Sequence, residues 1–183
     1  MINKFLLALM LFSGFAVSSV HAQFEADTSE NLNISELEEL EWMMDTCYKI
    51  LKRKRFSEMR IVYPSFKTYK KFIDKSMAGD QSDITQYTMY NYFWNRLRLQ
   101  HTKLMKKALK SKLDWKTSTL DSIDFKHSYE EKTEFAYVTW YIKAKNKKYI
   151  IKATCLKMDN KWFVMDELKY IGVFRPKKAK QKK

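Results

Sequence analysis

Apolar residues recur at helical spacing in the first half of the chain and alternate in the second. Leu37, Leu40, Met44, Cys47, Tyr48 and Leu51 repeat every three or four positions behind a Ser35–Glu38 capping box, which predicts a helix over about 35–54. Lys52, Arg53, Lys54 and Arg55 lie in its last turn, where cations suit the helix dipole. Pro64 opens a second helix carrying Phe66, Tyr69, Phe72, Ile73 and Met77, and Gly79-Asp80 ends it. A third helix fits 83–112, with Ile84, Tyr87, Trp94, Leu97, His101, Leu104, Met105 and Ala108 on one stripe. Met89, Tyr90, Tyr92 and Phe93 widen that stripe over one turn, so that turn is either covered on two sides or lines a ligand pocket.

After residue 117 the period drops to two, and strands are expected near 118–129, 134–145, 148–158 and 161–171. Asn146-Lys147 and Asp159-Asn160 read as two-residue hairpin loops. The first places Ile142 opposite Ile151, Trp140 opposite Ala153, Val138 opposite Cys155 and Ala136 opposite Lys157. The second places Cys155 opposite Val164, Ala153 opposite Asp166, Ile151 opposite Leu168 and Tyr149 opposite Tyr170. Both put Ile151, Ala153 and Cys155 on one face, the expected core face of an antiparallel sheet. Tyr137, Thr139, Tyr141, Lys152, Thr154, Met165 and Glu167 fall on the other, with Lys152 expected to pair with Glu167. Helices first and strands afterwards predict an α+β domain whose helices cover one face of about four strands.

The two ends of the chain differ from this domain. Residues 1–22 combine Lys4, the apolar run Phe5–Phe12 and small residues at Val20 and Ala22, as an export signal does. Residues 23–34 read as a flexible acidic lead, 35–174 as the domain, and 175–183 as an unfolded tail with six cations in nine residues. Over the whole chain 35 Lys plus Arg face 21 Asp plus Glu, a formal charge of +14 that falls only to +13 without residues 1–22. Three Gly leave no room for a phosphate-binding glycine loop, and the two Cys and three His are too few and too scattered for a dedicated metal site. No cofactor is implied.

The element order, together with the terminal pattern Asp159-Asn160-Lys161-Trp162-Phe163-Val164, resembles the NTF2-like (cystatin-like) superfamily, and especially small exported domains of Bacteroidetes-type bacteria. That resemblance implies a sheet curved around a helix into a cone, which serves in such proteins as an enzyme pocket, a ligand pocket or an association surface. It implies no catalytic motif here, because none of this chain's residues matches one.

Asp166 is the acid that the register sends into the core, where a carboxylate needs a partner or a raised pKa. A bulge near Asp166-Glu167 would turn it outward. With His101 it could form an acid–base dyad inside the cone, and Trp94, Tyr90 and Phe93 are the candidate ligand-binding rings. Lys103, Lys106, Lys107, Lys110, Lys112 and Lys116 in one basic stretch, and Lys143, Lys145, Lys147 and Lys148 on one hairpin, would attract polyanions. Lysine dominates arginine and the chain carries no nucleic-acid motif, so anionic envelope polymers or a membrane surface are favoured over specific nucleic acid. Export, an even cysteine count and two core-facing positions predict a Cys47–Cys155 disulfide. The resulting expectation is a periplasmic or secreted, non-enzymatic binding or envelope-associated protein, with a small-molecule binder or enzyme using the cone as the alternative. Self-association as a homodimer stays open.

Overall fold

The computed structural model describes residues 34–76, 82–130 and 133–174. The expected export signal at 1–22, the expected lead up to residue 33, the expected tail at 175–183, Met77 and the expected Gly79-Asp80 stop lie outside the described residues. Among the described residues three helices, α1 (Ile34–Arg53), α2 (Phe66–Ser76) and α3 (Asp83–Lys110), precede four strands, β1 (Thr119–Glu130), β2 (Thr133–Ala144), β3 (Lys147–Met158) and β4 (Lys161–Val173). The strands form one antiparallel sheet in the order β1-β2-β3-β4, open at β1 and β4. This is the α+β arrangement the periodicities imply. A 3-10 segment, Phe56–Ile61, lies between α1 and α2; at six residues it is too short to show a period, and the sequence reading missed it.

The apolar stripe of α1 forms because Leu40, Met43, Met44, Cys47, Ile50 and Leu51 share one side of a 3.6-residue repeat, and all are buried. They lie over Trp140, which with Trp162 is among the largest fully buried side chains of the described residues and whose indole Nε1 donates 3.0 Å to the Met44 carbonyl. That bond satisfies the polar atom that a buried tryptophan brings with it. Ala136, Val138, Trp140 and Ile142 of β2 and Tyr149, Ile151, Ala153 and Cys155 of β3 complete the core face. On α3 the stripe is buried from Leu97 onward through His101, Leu104 and Ala108. Its start departs from expectation, since Ile84 and Tyr87 are exposed and Gln86 is buried in their place, donating 2.8 Å to Asp74 of α2.

Two register expectations are corrected. The β2–β3 turn is Lys145-Asn146, one residue earlier than expected, so Val138 pairs with Ala153, Trp140 with Ile151, Ile142 with Tyr149 and Ala136 with Cys155. Lys145 takes a positive φ of 55° to make that turn. Moving a turn by one residue changes each partner by two, so every side chain keeps its face. At the other hairpin Asp159 and Asn160 both have positive φ, as a type I′ turn requires, and Cys155 opposes Val164 as expected. Beyond that point irregularities between Lys152 and Cys155 shift β4, placing Asp166 opposite Thr154, Lys169 opposite Lys152 and Tyr170 opposite Ile151. Asp166 therefore leaves the core-facing row. The Lys152–Glu167 ion pair is not made, because Glu167 binds Lys169 at 2.7 Å.

The edge of β4 is covered. Val164 N–H donates 2.8 Å to the Val62 carbonyl, and Leu168 N–H donates 3.1 Å to Gln100 Oε1 of α3. Edge amides satisfied in this way cannot template another strand.

Candidate functional site

Asp166 is occupied. Arg96 grips it with Nε at 3.0 Å from Oδ1 and Nη2 at 2.9 Å from Oδ2, Gln100 Nε2 also donates to it, and its Oδ1 accepts the Glu167 N–H at 2.7 Å. Glu167 stands at φ 58° in this bulge. The carboxylate is a structural clamp between α3 and β4, with its hydrogen-bonding capacity spent on neighbours. His101 is not among the hydrogen-bond partners of Asp166. His101 sits in the α3 seam against the Phe56 ring at 5.3 Å, its Nε2 has no hydrogen-bond partner, and burial lowers its pKa from the ordinary histidine value.

Trp94, Tyr90 and Phe93 belong to a ladder of rings linking the 3-10 segment, α2 and α3. Trp94 meets Phe56 at 4.7 Å and Tyr63 at 4.9 Å, while Tyr90 meets Tyr63, Phe66 and Tyr69 at 5.5–5.6 Å. Phe93 approaches Tyr69 at 6.5 Å. Two hydroxyls tie the ladder to backbone: Tyr63 Oη donates to the Tyr90 carbonyl at 3.3 Å and Tyr90 Oη to the Pro64 carbonyl at 3.0 Å. Burial pushes the Tyr69 phenol up to about 12 and that of Tyr63 further still. Arg60 lies over the Trp94 ring at 4.8 Å. The widened stripe is explained by covering helices: the rings pack against each other, and Tyr92 alone of the four widening residues is fully exposed.

Cys47 and Cys155 do share the core seam, but the expected disulfide is not formed; both are free, buried thiols. Burial pushes the Cys47 thiol up to about 12 and raises Cys155 well above its ordinary value, with Cys47 adding to the effect on Cys155. Such thiols behave as small apolar groups.

Charge is the feature with spatial organisation. Strand starts, strand ends and helix termini put the same end of the sheet next to the C-termini of both α1 and α3. Lys52 Nζ donates 2.7 Å to the Ser118 carbonyl just before β1, and Tyr149 Oη bonds the Ser111 and Lys112 carbonyls just after α3 at 3.4 and 3.2 Å. The β2–β3 hairpin and the end of β4 reach the same place, where Phe174 N–H donates 2.7 Å to the Lys148 carbonyl. Exposed Lys54, Lys107, Lys110, Lys112, Lys116, Lys143, Lys145 and Lys147 gather here without an ion pair among the described residues. The acids nearby are few and engaged: Glu58 with Arg53 and Arg55, Asp121 with Lys148 at 2.6 Å, and Asp114 with the Thr117 hydroxyl and the Lys116 N–H. These contacts hold the Asp114 and Asp121 carboxyls below their ordinary range, through Thr117 and Lys148 respectively.

At the opposite end several lysines are matched to acids. Lys157 is nearly buried and binds both Glu36 of α1 and Glu134 of β2, the latter at 3.0 Å, while its Nζ lies 5.9 Å from the Trp162 ring centre. Glu39 accepts the Trp162 N–H at 3.1 Å on both oxygens. Lys71 of α2 binds Asp159 of the β3–β4 turn at 2.7 Å. Sequence reasoning did not find this cluster, since Glu36, Glu134 and Lys157 are 23 to 121 residues apart and only the fold brings them together.

Comparison of the chain with protein-family models, curated proteins and solved structures finds no match. Among the described residues no helix is long and apolar enough to cross a membrane.

Proposed function

We propose that the chain is an exported, non-enzymatic binding protein that attaches to extended anionic surfaces of the cell envelope through its basic end. The convergence of eight exposed, unpaired lysines at one end, against three engaged acids, carries this reading. Concentrated cations of one sign give a potential that recruits polyanions and depends steeply on salt. Residues 175–183, which follow Phe174 in the sequence, add six cations. The NTF2-like resemblance and the periplasmic or secreted location belong to this reading as well, supported by the element order and by the leader-like residues 1–22. Against an enzyme of the Asp166–His101 type stands the occupation of Asp166 by Arg96 and Gln100.

Retention on a dextran sulfate column tests the reading. Reversing Lys110, Lys145 and Lys147 to Glu lowers the eluting salt strongly, whereas reversing the exposed Lys67, Lys75 and Lys161 at the other end, for the same change in net charge, lowers it much less. Equal shifts for the two triple variants would show charge without a site and sink the proposal.

A further inference from the structure

We propose that the helix-free face of the sheet is a docking surface for a lipid bilayer carrying anionic headgroups. The inference rests on the reading above and names the partner of the basic end. Its starting point is a pair of arrangements that cost stability. In the sheet register Lys143 lies directly opposite Lys148, and Lys152 directly opposite Lys169. Like charges placed across a strand pair repel, and nothing in the folding of a sheet calls for them. One lysine of each pair is neutralised, Lys148 by Asp121 at 2.6 Å and Lys169 by Glu167 at 2.7 Å. Lys143 and Lys152 make no salt bridge among the described residues and are exposed, and Lys143 adds its field to that of Lys148 on Asp121. Both stand on the face opposite Trp140 and Ile151, away from the covering helices.

Between the two lysine rows runs an apolar row, Tyr141, Ile150 and Gly172. The Phe174 ring meets Tyr141 edge-on at 6.2 Å, and Lys148 Nζ lies within 5.7 Å of both ring centres. Gly172, at φ 151°, leaves open space where a side chain would stand. Phe174 is 42 % exposed and its neighbour Ile171 52 %. Lysines flanking the exposed Phe174 ring and the half-buried Tyr141 ring on one sheet face are what the bilayer interface takes: ammonium groups meet anionic headgroups while aromatic and aliphatic groups sink to the level of the upper acyl chains. A soluble polyanion would leave Ile171 and Phe174 in water. Asp124 and Glu167 also stand on this face, the first opposite Thr139 and the second bonded by Thr154, so the headgroups are met by Lys143 and Lys152 rather than by the face as a whole.

Vesicle sedimentation with the full chain provides the test. The chain binds vesicles of phosphatidylglycerol and phosphatidylcholine and does not bind pure phosphatidylcholine. Replacing Ile171 and Phe174 together by Ser weakens vesicle affinity by about tenfold and leaves dextran sulfate affinity within about twofold, since only the bilayer removes these side chains from water. Lys143→Ser with Lys152→Ser weakens both. Vesicle affinity unmoved by the Ile171/Phe174 change, or binding to dextran sulfate with none to vesicles, would overturn the bilayer and leave the basic-end reading standing. Failure of the unaltered chain to bind either probe overturns both. These side chains are exposed, and unchanged thermal melting confirms that each variant is folded.

Discussion

Lys157 and Lys143 are both strand lysines of the same sheet, and their surroundings are opposites. Lys157 is nearly buried between two carboxylates, so its charge is a fastening between α1, β2 and β3. Lys143 stands exposed across from another lysine and makes no salt bridge among the described residues, so its charge fastens no two elements. At the matched end, ionic groups hold the fold together; at the basic end, they are displayed to solvent. A charged residue can thus serve stability or surface potential, and the surrounding acids decide which.

The largest expected effect lies at the matched end. Lys157→Met leaves Glu36 and Glu134 without their shared cation, and urea denaturation should show a loss of about 2 kcal/mol, below the cost of breaking a fully buried pair because both carboxylates keep some water. A loss under ~0.5 kcal/mol would mean that the cluster is merely superficial. The same group sets an alkaline limb. Burial pulls the Lys157 pKa down, but Glu36 and Glu134 more than reverse this and leave it raised. Its stabilisation is complete below the ordinary lysine value of about 10.4 and fades as pH rises through the higher folded-state value. Unfolding free energies measured from pH 8 upward should show this limb in the parent chain and not in the Met variant.

At the basic end substitutions should stabilise. Lys112 occupies the left-handed position after α3 at φ 61°, with Lys112 N–H bonded to Leu109 O and Leu113 N–H to Ala108 O, and Lys54 holds the corresponding place after α1 at φ 60°. Glycine is the usual occupant of such a cap because it lacks the clashing Cβ. Lys112→Gly should raise stability by about 0.5–1 kcal/mol, visible as a higher melting temperature, and no rise would show that the lysine side chain does more for the fold than for the field around it. The smallest effect belongs to Lys143→Thr, which relieves the repulsion with Lys148 and should add a few tenths of a kcal/mol at low salt and almost nothing at 1 M. A destabilised Thr variant would erase the contrast with Lys157.

Much of this architecture is legible in the sequence, because hydrophobic period is a local property. All three helices and all four strands lie within a few residues of where period and turn residues put them. The face of Ile151, Ala153 and Cys155 survives a misplaced turn, since sliding a hairpin loop by one residue preserves parity. What escapes is decided by contacts between distant segments or by backbone irregularities. The β4 bulge, with Glu167 at positive φ and its N–H bonded to Asp166, turns an expected core acid into an edge clamp for Arg96. The candidate site is legible as composition and not as place: runs such as Lys143 to Lys148 are plain to read, but their meeting with the ends of α1 and α3 depends on Ser118, Ser111 and Lys112.

The hydrogen bond from Trp140 to the Met44 carbonyl spans 96 residues, and that from Trp162 to Glu39 spans 123. Strand pairing in the meander, by contrast, joins neighbours in the chain. Time therefore separates the two halves of the domain. The hairpins can close on themselves early, while α1, made first, must wait with Leu40, Met43, Met44 and Leu51 uncovered until the last strand arrives. In pulsed hydrogen exchange during refolding, β2 and β3 amides should gain protection ahead of those of α1. An α1 protected first would mean that the helix forms on its own. If α1 does dock last, any interruption after it and before β4 leaves an apolar helix exposed, and that is the interval in which the chain most needs a chaperone.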